Sequence, residues 1–275
     1  MKELFGINYP FNQARLIAFG APFEGTACFK KGTAKGPEAV RKASTQIEAF
    51  DYLNDVEVLD RNPVHGLGNL KEKSMEKLFK AIEEKAIEIR KAGKTILLLG
   101  GEHSISLPAL KAVQKEKPVL VVFDAHADLR EEFEGKKISH ATVMKRILGF
   151  HEKKDFIQLG VRSLSRPELE FIKENRLKVF FIEEIKKSLM KVKKALQEKT
   201  KNRKIYLSID IDVFDPSIAP GTGTPEHNGL LYPEFRELLE SVKGKIIGID
   251  LVEVLPDREL ITPLLAARII VGLLA

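Results

Sequence analysis

In the stretch "VVFDAHADLR", Val121 to Arg130, acid and imidazole groups stand at every second position: Asp124, His126 and Asp128. The same chemistry recurs behind three other apolar runs, as Glu102 and His103 after "TILLLG", as Asp210 and Asp212 in "IYLSIDID", and as Glu253 after "IIGIDLV". Side chains alternate along an extended backbone, so Asp124, His126 and Asp128 can share one face if strand geometry persists, and Asp210 and Asp212 can do the same. A single Asp-x-His pair would be read as a salt bridge beside a satisfied histidine. Four carboxylates gathered with two imidazoles at the ends of buried strands are different, because they would repel one another and raise their own pKa values unless cations intervened. Two divalent ions would balance them. Oxygen and imidazole donors without thiolate suit Mn(II), whereas structural zinc prefers cysteine and magnesium accepts imidazole poorly. The expected cofactor is two Mn2+ held by such a mixed set of aspartate oxygens and histidine nitrogens. Two metals ~3.5–4 Å apart can share a water, lower its pKa toward neutrality and aim it at an unreactive carbon. That is a centre for hydrolysis.

Such a centre needs a frame that brings distant segments together. Eight short runs rich in β-branched and aliphatic residues predict strands: "RLIAFG", "VEVLD", "TILLLG", "VLVVFD", "FIQLGV", "KVFFIE", "IYLSID" and "IIGIDLV". Between most of them lie segments of helical period, at 72–92, 106–115, 140–148, 167–175, 184–198 and 233–242. Pro37 and Pro263 mark the starts of two more, "PEAVRKAS" and "PLLAARIIVGLL". Parallel strands need helical crossovers, and those crossovers bury both faces of the sheet, so the alternation implies a mostly parallel sheet. The expected fold class is α/β, a three-layer αβα arrangement with a central eight-stranded, mostly parallel sheet, in one domain spanning residues 1–275. In such sheets ligands sit beyond the carboxyl ends of the strands, which is where the acids fall.

Composition excludes several alternatives. The 45 basic and 39 acidic residues are interspersed, as in "KEKSMEKLFKAIEEKAIEIRK", so the formal charge of +6 reads as solvated helix faces and no nucleic-acid partner is expected. Cys28 stands alone, which rules out an intramolecular disulfide. With no N-terminal signal pattern and no apolar run of ~18 residues, the chain is expected to be cytoplasmic, without a membrane partner. "GLGNL" lacks the third glycine of a dinucleotide fingerprint. His65, just before it, is read either as a loop residue near the substrate mouth or as a plain structural histidine, and His151, after a helix, is expected to cap that helix or meet solvent.

Taken together, "GGEHSIS", "FDAHADLR", "SHATVM", "SIDIDVFDPSIAPGTGTPE" and "GIDLVEVLP" resemble the ureohydrolase family of arginase and agmatinase, in the family's order from Gly100 to Pro256. The N-terminal "GAPFEGTACFKKGTAKGPEAVRKAS" is similar to the family's opening loop and first helix. The resemblance implies an eight-stranded parallel sheet between helices and a site that releases urea and an amine from a small cationic guanidino substrate. It implies His103 and Asp128 on one manganese, His126 and Asp212 on the other, and Asp124 and Asp210 on both. By the same resemblance His140 is the proton-shuttling histidine, Glu253 is the acid that meets the guanidinium, and the assembly is a homo-oligomer, trimer or hexamer.

A guanidinium is resonance-stabilised and protonated at neutral pH, so plain water attacks it poorly. Arg130 stands where arginases typically carry Asn, and "DLREEFEGKKISHATVMKR" and "PGTGTPE" resemble agmatinases, which favours agmatine hydrolysed to putrescine and urea. N1-aminopropylagmatine, leading to spermidine, is the near alternative. Arginase, guanidinobutyrase and formiminoglutamase activities follow, and His227 and Asn228 after Glu226 depart from the small residues often seen there. Glu131, Glu132, Glu134 and Glu226 are the acids that could meet a distal ammonium. A two-metal phosphoesterase would use similar ligands, but no glycine-rich phosphate cradle accompanies them. Deacetylases usually bind one zinc, and a non-enzymatic descendant would not be expected to keep His140, Glu253 and all six ligands.

Overall fold

The computed structural model describes residues 2–275. In chain order the strands are β1 (Leu16–Ala21), β2 (Phe50–Asp51), β3 (Val56–Glu57), β4 (Val64–Asn69), β5 (Thr95–Gly100), β6 (Val119–Phe123), β7 (Phe156–Val161), β8 (Val179–Phe181), β9 (Lys204–Asp210) and β10 (Lys245–Val252). The α-helices are α1 (Gly36–Ser44), α2 (Val58–Arg61), α3 (Met75–Lys91), α4 (Ser106–Val113), α5 (Val143–Ile147), α6 (Arg166–Glu174), α7 (Ile182–Lys187), α8 (Leu189–Thr200), α9 (Tyr232–Glu240) and α10 (Ile261–Leu274). Eight strands form one sheet in the order β4-β1-β5-β10-β9-β6-β7-β8, with every pairing parallel. No helix among the described residues is long and apolar enough to cross a membrane.

Alternation along the strands feeds two cores. Leu97, Leu99, Val121, Phe123, Leu207 and Ile209 pack on one face with Val40 of α1, Val192 and Leu196 of α8, Phe235 of α9 and Ile269 of α10. Ile96, Leu98, Leu120 and Val122 pack on the other with Leu78 and Ile82 of α3, Leu110 of α4, Met144 of α5 and Ile172 of α6. Each such side chain contributes about 1.5–3 kcal/mol relative to exposure, and the two-sided burial is why these strands read as unbroken apolar runs.

The expected count of eight is met with one exchange. "VEVLD" is not in the sheet: Val56–Glu57 pairs antiparallel with Phe50–Asp51 as a small hairpin, and Val58–Arg61 turns into α2. The eighth strand is β4, "VHGLGN", whose glycines hide it in the sequence. They are needed there, because a Cβ on Gly66 would overlap the Lys2 carbonyl and Gly68 has a φ of 85°. His65 therefore lies on an edge strand with Nδ1 2.7 Å from the Tyr9 carbonyl, away from any substrate mouth. The predicted helix at 184–198 is broken at Ser188, which takes φ −155° and ψ 80° between α7 and α8. His151 is buried rather than solvated, between the Asp155 carbonyl at 3.1 Å and Gln114 Oε1 at 3.3 Å.

The segment after β1 crosses the end of β5 at close range: Gly101 N–H donates to Ala21 O and Glu102 N–H to Phe23 O. A Cβ on Gly101 would fall on the Phe23 backbone. Gly101→Ala is therefore expected to lower stability by about 1–3 kcal/mol, the usual range for forced overpacking, as measured by urea unfolding. A change near zero would show that this crossing can relax.

Candidate metal centre and active site

The acids converge because their strands are neighbours. β5, β10, β9 and β6 are consecutive at the middle of the sheet, and their carboxyl ends lead directly to His103, Glu253, Asp210 and Asp124. The alternation expected for Asp124, His126 and Asp128 does not hold. β6 ends at Phe123, and Asp128 takes a left-handed φ of 55°. Asp212 likewise sits in a 3-10 turn, Ile211–Val213, where its N–H donates to Asp210 Oδ1 at 2.9 Å. The groups share a site because loops fold them inward. The loop after β6 is bound to the next one by Arg162 N–H and Ser163 N–H on Ala125 O, and Leu129 N–H donates to Glu168 Oε1 at 3.0 Å. Glu253 also takes a positive φ, 60°, and non-glycine residues so held cost about 1–3 kcal/mol each and persist only where the surroundings fix them.

Two overlapping donor groups result, His103 with Asp124 and Asp210, and Asp124 with His126 and Asp212, the donor atoms of each group lying within 4.8 Å of one another. His103 Nδ1 stands 3.1 Å from Asp124 Oδ2 and 3.3 Å from both Asp128 Oδ2 and Asp210 Oδ2. Neither His103 Nδ1 nor Asp124 Oδ2, both buried, has a hydrogen-bond partner. On the other side of the ring His103 Nε2 is 2.9 Å from Ser208 Oγ, and Ser208 donates to Asp250 Oδ1 at 2.7 Å. With its proton spent on Asp250, Ser208 can only accept from Nε2–H, which leaves the Nδ1 lone pair of the neutral ring aimed at three carboxylates. In the neutral ring that lone pair faces three carboxylates, an arrangement that either a proton on Nδ1 or a bound cation relieves, and the donor set fits a divalent metal. His126 Nδ1 is 2.8 Å from Asp212 Oδ2, and His126 N–H donates to Asp124 Oδ1 at 2.6 Å.

Titration follows the same shortage of positive charge. Burial lifts Asp124 to a pKa of about 7, with Asp128 and Asp212 pushing the same way, and burial with Asp212 holds Asp210 well above the carboxylate range. Burial opposes charge on His126, but Asp212 and Asp124 outweigh it and raise the imidazole to about 11. His103 is raised well above its ordinary value in the same way, against its burial, by Asp124, Asp128 and Asp210.

A cleft of about 250 Å³ opens over this cluster, lined among others by His140, Glu253, Cys28, Arg130, Phe133 and Glu168. Glu253 Oε1 accepts His103 N–H at 2.7 Å, and burial raises its pKa to about 8. His140 lies edge-on to Phe133 at 5.4 Å between ring centres. Of the acids expected to meet a distal ammonium, Glu131 is committed to Lys145 and Arg146, and Glu132 and Glu134 are exposed outside the cleft lining. Glu226 alone reaches the cluster, 3.6 Å from His126 Nε2. Asn228 takes a left-handed φ of 63°, and the His227 carbonyl accepts from Arg162.

Several organising residues escaped the sequence reading. Arg162 donates to six carbonyls, those of Gly160, Asp212, Val213, Phe214, Glu226 and His227, and so ties the Asp212 turn to the Glu226 loop. Ser208 and Asp250 had a readable signal, polar residues inside otherwise apolar buried strands. Arg162 had none beyond its place after a strand.

The model of the Arginase family matches residues 14–275. The chain is 35% identical over 266 residues to the N(1)-aminopropylagmatine ureohydrolase of Thermococcus kodakarensis, covering 93% of this chain and 89% of that one. It is 31% identical over 273 residues to the agmatinase of Bacillus anthracis, covering 94% and 91%. The crystal structure of agmatine ureohydrolase of Thermoplasma volcanium superposes with a TM-score of 0.91 at 30% identity, over 99% of this chain and 92% of that chain.

Because burial and neighbouring acids raise the proton affinity of Asp124, Asp210, His103 and His126, a divalent ion competes with protons there, so its affinity should rise with pH. Calorimetric titration of the metal-free chain with Mn2+ is expected to show affinity climbing at least about tenfold per pH unit between about pH 6 and 8, with protons released. Ser208→Ala should weaken binding about 10- to 100-fold, the usual loss when the partner of a ligating imidazole is removed. An affinity independent of pH, or unchanged in Ser208→Ala, would contradict this account of the cluster.

Proposed function

This chain belongs to the Arginase family, and on that premise we propose that it is a manganese-dependent ureohydrolase that cleaves agmatine to putrescine and urea. The observation that carries the reading is the buried, partnerless pair of His103 Nδ1 and Asp124 Oδ2 within a cluster of two imidazoles and four carboxylates. His103, Asp124, Asp128 and Asp210 would hold one ion, and Asp124, His126, Asp210 and Asp212 the other. When bound, such a pair supplies Lewis acidity and lowers the pKa of water toward neutrality.

The chain's own residues supply the rest. A guanidinium is planar and presents N–H donors in a fixed fork, and a carboxylate is its geometric complement. Glu253 is suited to that role: its Oε1 is already fixed by His103 N–H, and Gly223 carries no side chain to crowd Oε2. No lysine or arginine among the described residues pairs with the buried Glu253 carboxylate, so a guanidinium beside it relieves the cost of its charge. His140, on the wall of the cleft, would pass a proton to the departing amine, a role typically worth about 10²–10⁴ in rate. Arg130, 3.7 Å from Glu168 and stacked over Phe133, is partly neutralised where a cationic arm would pass. Glu226 is placed to attract that arm.

The second reading, N1-aminopropylagmatine as substrate, is favoured by the 35% identical relative that carries that activity in its name. Manganese-loaded protein should be offered agmatine, aminopropylagmatine, guanidinobutyrate, arginine and formiminoglutamate, with urea and formamide counted. Agmatine is expected to be turned over best. A larger kcat/KM for aminopropylagmatine would move the assignment to the second reading, arginine as best substrate would overturn the specificity, and silence on all five would overturn the activity. Asp124→Asn is expected to lose metal and turnover together. His140→Ala should keep its metal and lose about 10²–10⁴ in kcat, and a parental rate in that variant would remove His140 from the proton path.

A further inference from the structure

His140 is held by a chain of hydrogen bonds that leads away from the cleft into the protein. Thr26 Oγ1 is 3.1 Å from His140 Nδ1 and also accepts the His140 backbone N–H at 3.1 Å. The same hydroxyl donates to Glu102 Oε1 at 2.6 Å. Glu102, fully buried, accepts two more donors, Thr26 N–H on Oε2 at 2.6 Å and Ser104 Oγ on Oε1 at 2.6 Å.

The proton positions follow from donor counting. A carboxylate receiving three short donors is acting purely as an acceptor, so the single hydroxyl proton of Thr26 lies toward Glu102. Thr26 Oγ1 then has two lone pairs, and one takes the His140 backbone N–H. The other faces Nδ1. Two lone pairs cannot share a 3.1 Å contact, so Nδ1 must carry hydrogen and donate. Thr26 is 3% exposed, so its hydroxyl is screened from bulk water. Nε2 then presents its lone pair on the cleft side, 3.6 Å from the Cys28 thiol, which can donate to it and also lines the cleft.

We propose that Thr26 and Glu102 are positioning residues that hold His140 in the Nδ1–H tautomer and so present Nε2 as the nitrogen that handles the proton. The inference rests on the reading of His140 as a proton relay, and it adds which nitrogen serves and what selects it. Free histidine side chains favour the opposite tautomer, Nε2–H, so the selection has to be enforced by structure. The arrangement repeats that of His103, Ser208 and Asp250, a hydroxyl between an imidazole and a buried carboxylate, in the opposite ring orientation.

The test is the tautomer itself. Full-length chain labelled with 15N in its histidine rings and free of paramagnetic metal is examined by two-bond 1H–15N correlation above the imidazole titration, with the His140 signals assigned by their loss in His140→Ala. The parent is expected to show a protonated Nδ1 and an unprotonated Nε2 at His140. Thr26→Val should convert the ring to Nε2–H and, once loaded with manganese, lower kcat roughly 10- to 100-fold with KM and metal content within about twofold, and Thr26→Ser should restore both tautomer and rate. A parent ring in the Nε2–H form would overturn the proposal, as would folded Thr26→Val protein with parental kcat. The parent spectrum needs no variant to fold and no substrate to be turned over, so it decides the tautomer even if every guanidino compound proves inert.

Discussion

Asp124, Asp128, Asp210 and Asp212 are buried around His103 and His126; the donor atoms of His103, Asp124 and Asp210, and those of Asp124, His126 and Asp212, lie within 4.8 Å of one another, and Asp128 Oδ2 is 3.3 Å from His103 Nδ1. At ~4 Å and an effective dielectric near ~20, each like-charge pair costs about 4 kcal/mol, a sum that no single side chain's packing offsets. The cluster therefore favours added positive charge, and in its own residues the pKa values of Asp124, Asp210 and both imidazoles are all raised. No lysine or arginine enters an ion pair with the four acids among the described residues. On the proposed reading metal ions supply that charge, and the rest of the site is arranged so that they can.

The parallel sheet is what makes the concentration of acids tolerable. Its four central strands deliver their ends to one place, and the apolar residues behind them, such as Phe123, Ile209 and Leu251, fix those ends to within a side chain's reach. Left-handed backbone at Asp128 and Glu253 then turns two acids toward the cluster. Buried hydroxyls complete the arrangement: Ser208 fixes which nitrogen of His103 faces the acids, and Thr26 reads His140 in the same manner. Each hydroxyl links an imidazole to a carboxylate that never meets solvent.

Much of this was legible in the residues. The apolar runs ending in Asp124, Asp210, Glu253 and "GGEH" correctly placed the chemistry at strand ends, because two-sided burial of a parallel sheet leaves a signature that composition alone carries. The period-two reading of "DAHAD" and "DID" expected an extended backbone that the structure does not have. The strands stop before them, and a loop and a 3-10 turn do the gathering, which depends on long-range contacts such as Ala125 N–H to Asp212 and Leu129 N–H to Glu168. β4 was missed because its glycines serve a close approach to the N-terminal segment rather than a turn. His151 was misplaced for a related reason, since its partners Gln114 and Asp155 lie on other elements. Thr26 and Arg162 act through hydrogen bonds spanning dozens of residues, which leave no local pattern to read.

The most direct test of a cation-dependent cluster is diffraction from crystals equilibrated with manganese, recorded at the manganese absorption edge. The account predicts two anomalous peaks about 3.5–4 Å apart, enclosed by His103, Asp124, Asp128, Asp210, His126 and Asp212. A map without density there, with the four aspartates turned to lysine or arginine partners, would contradict it.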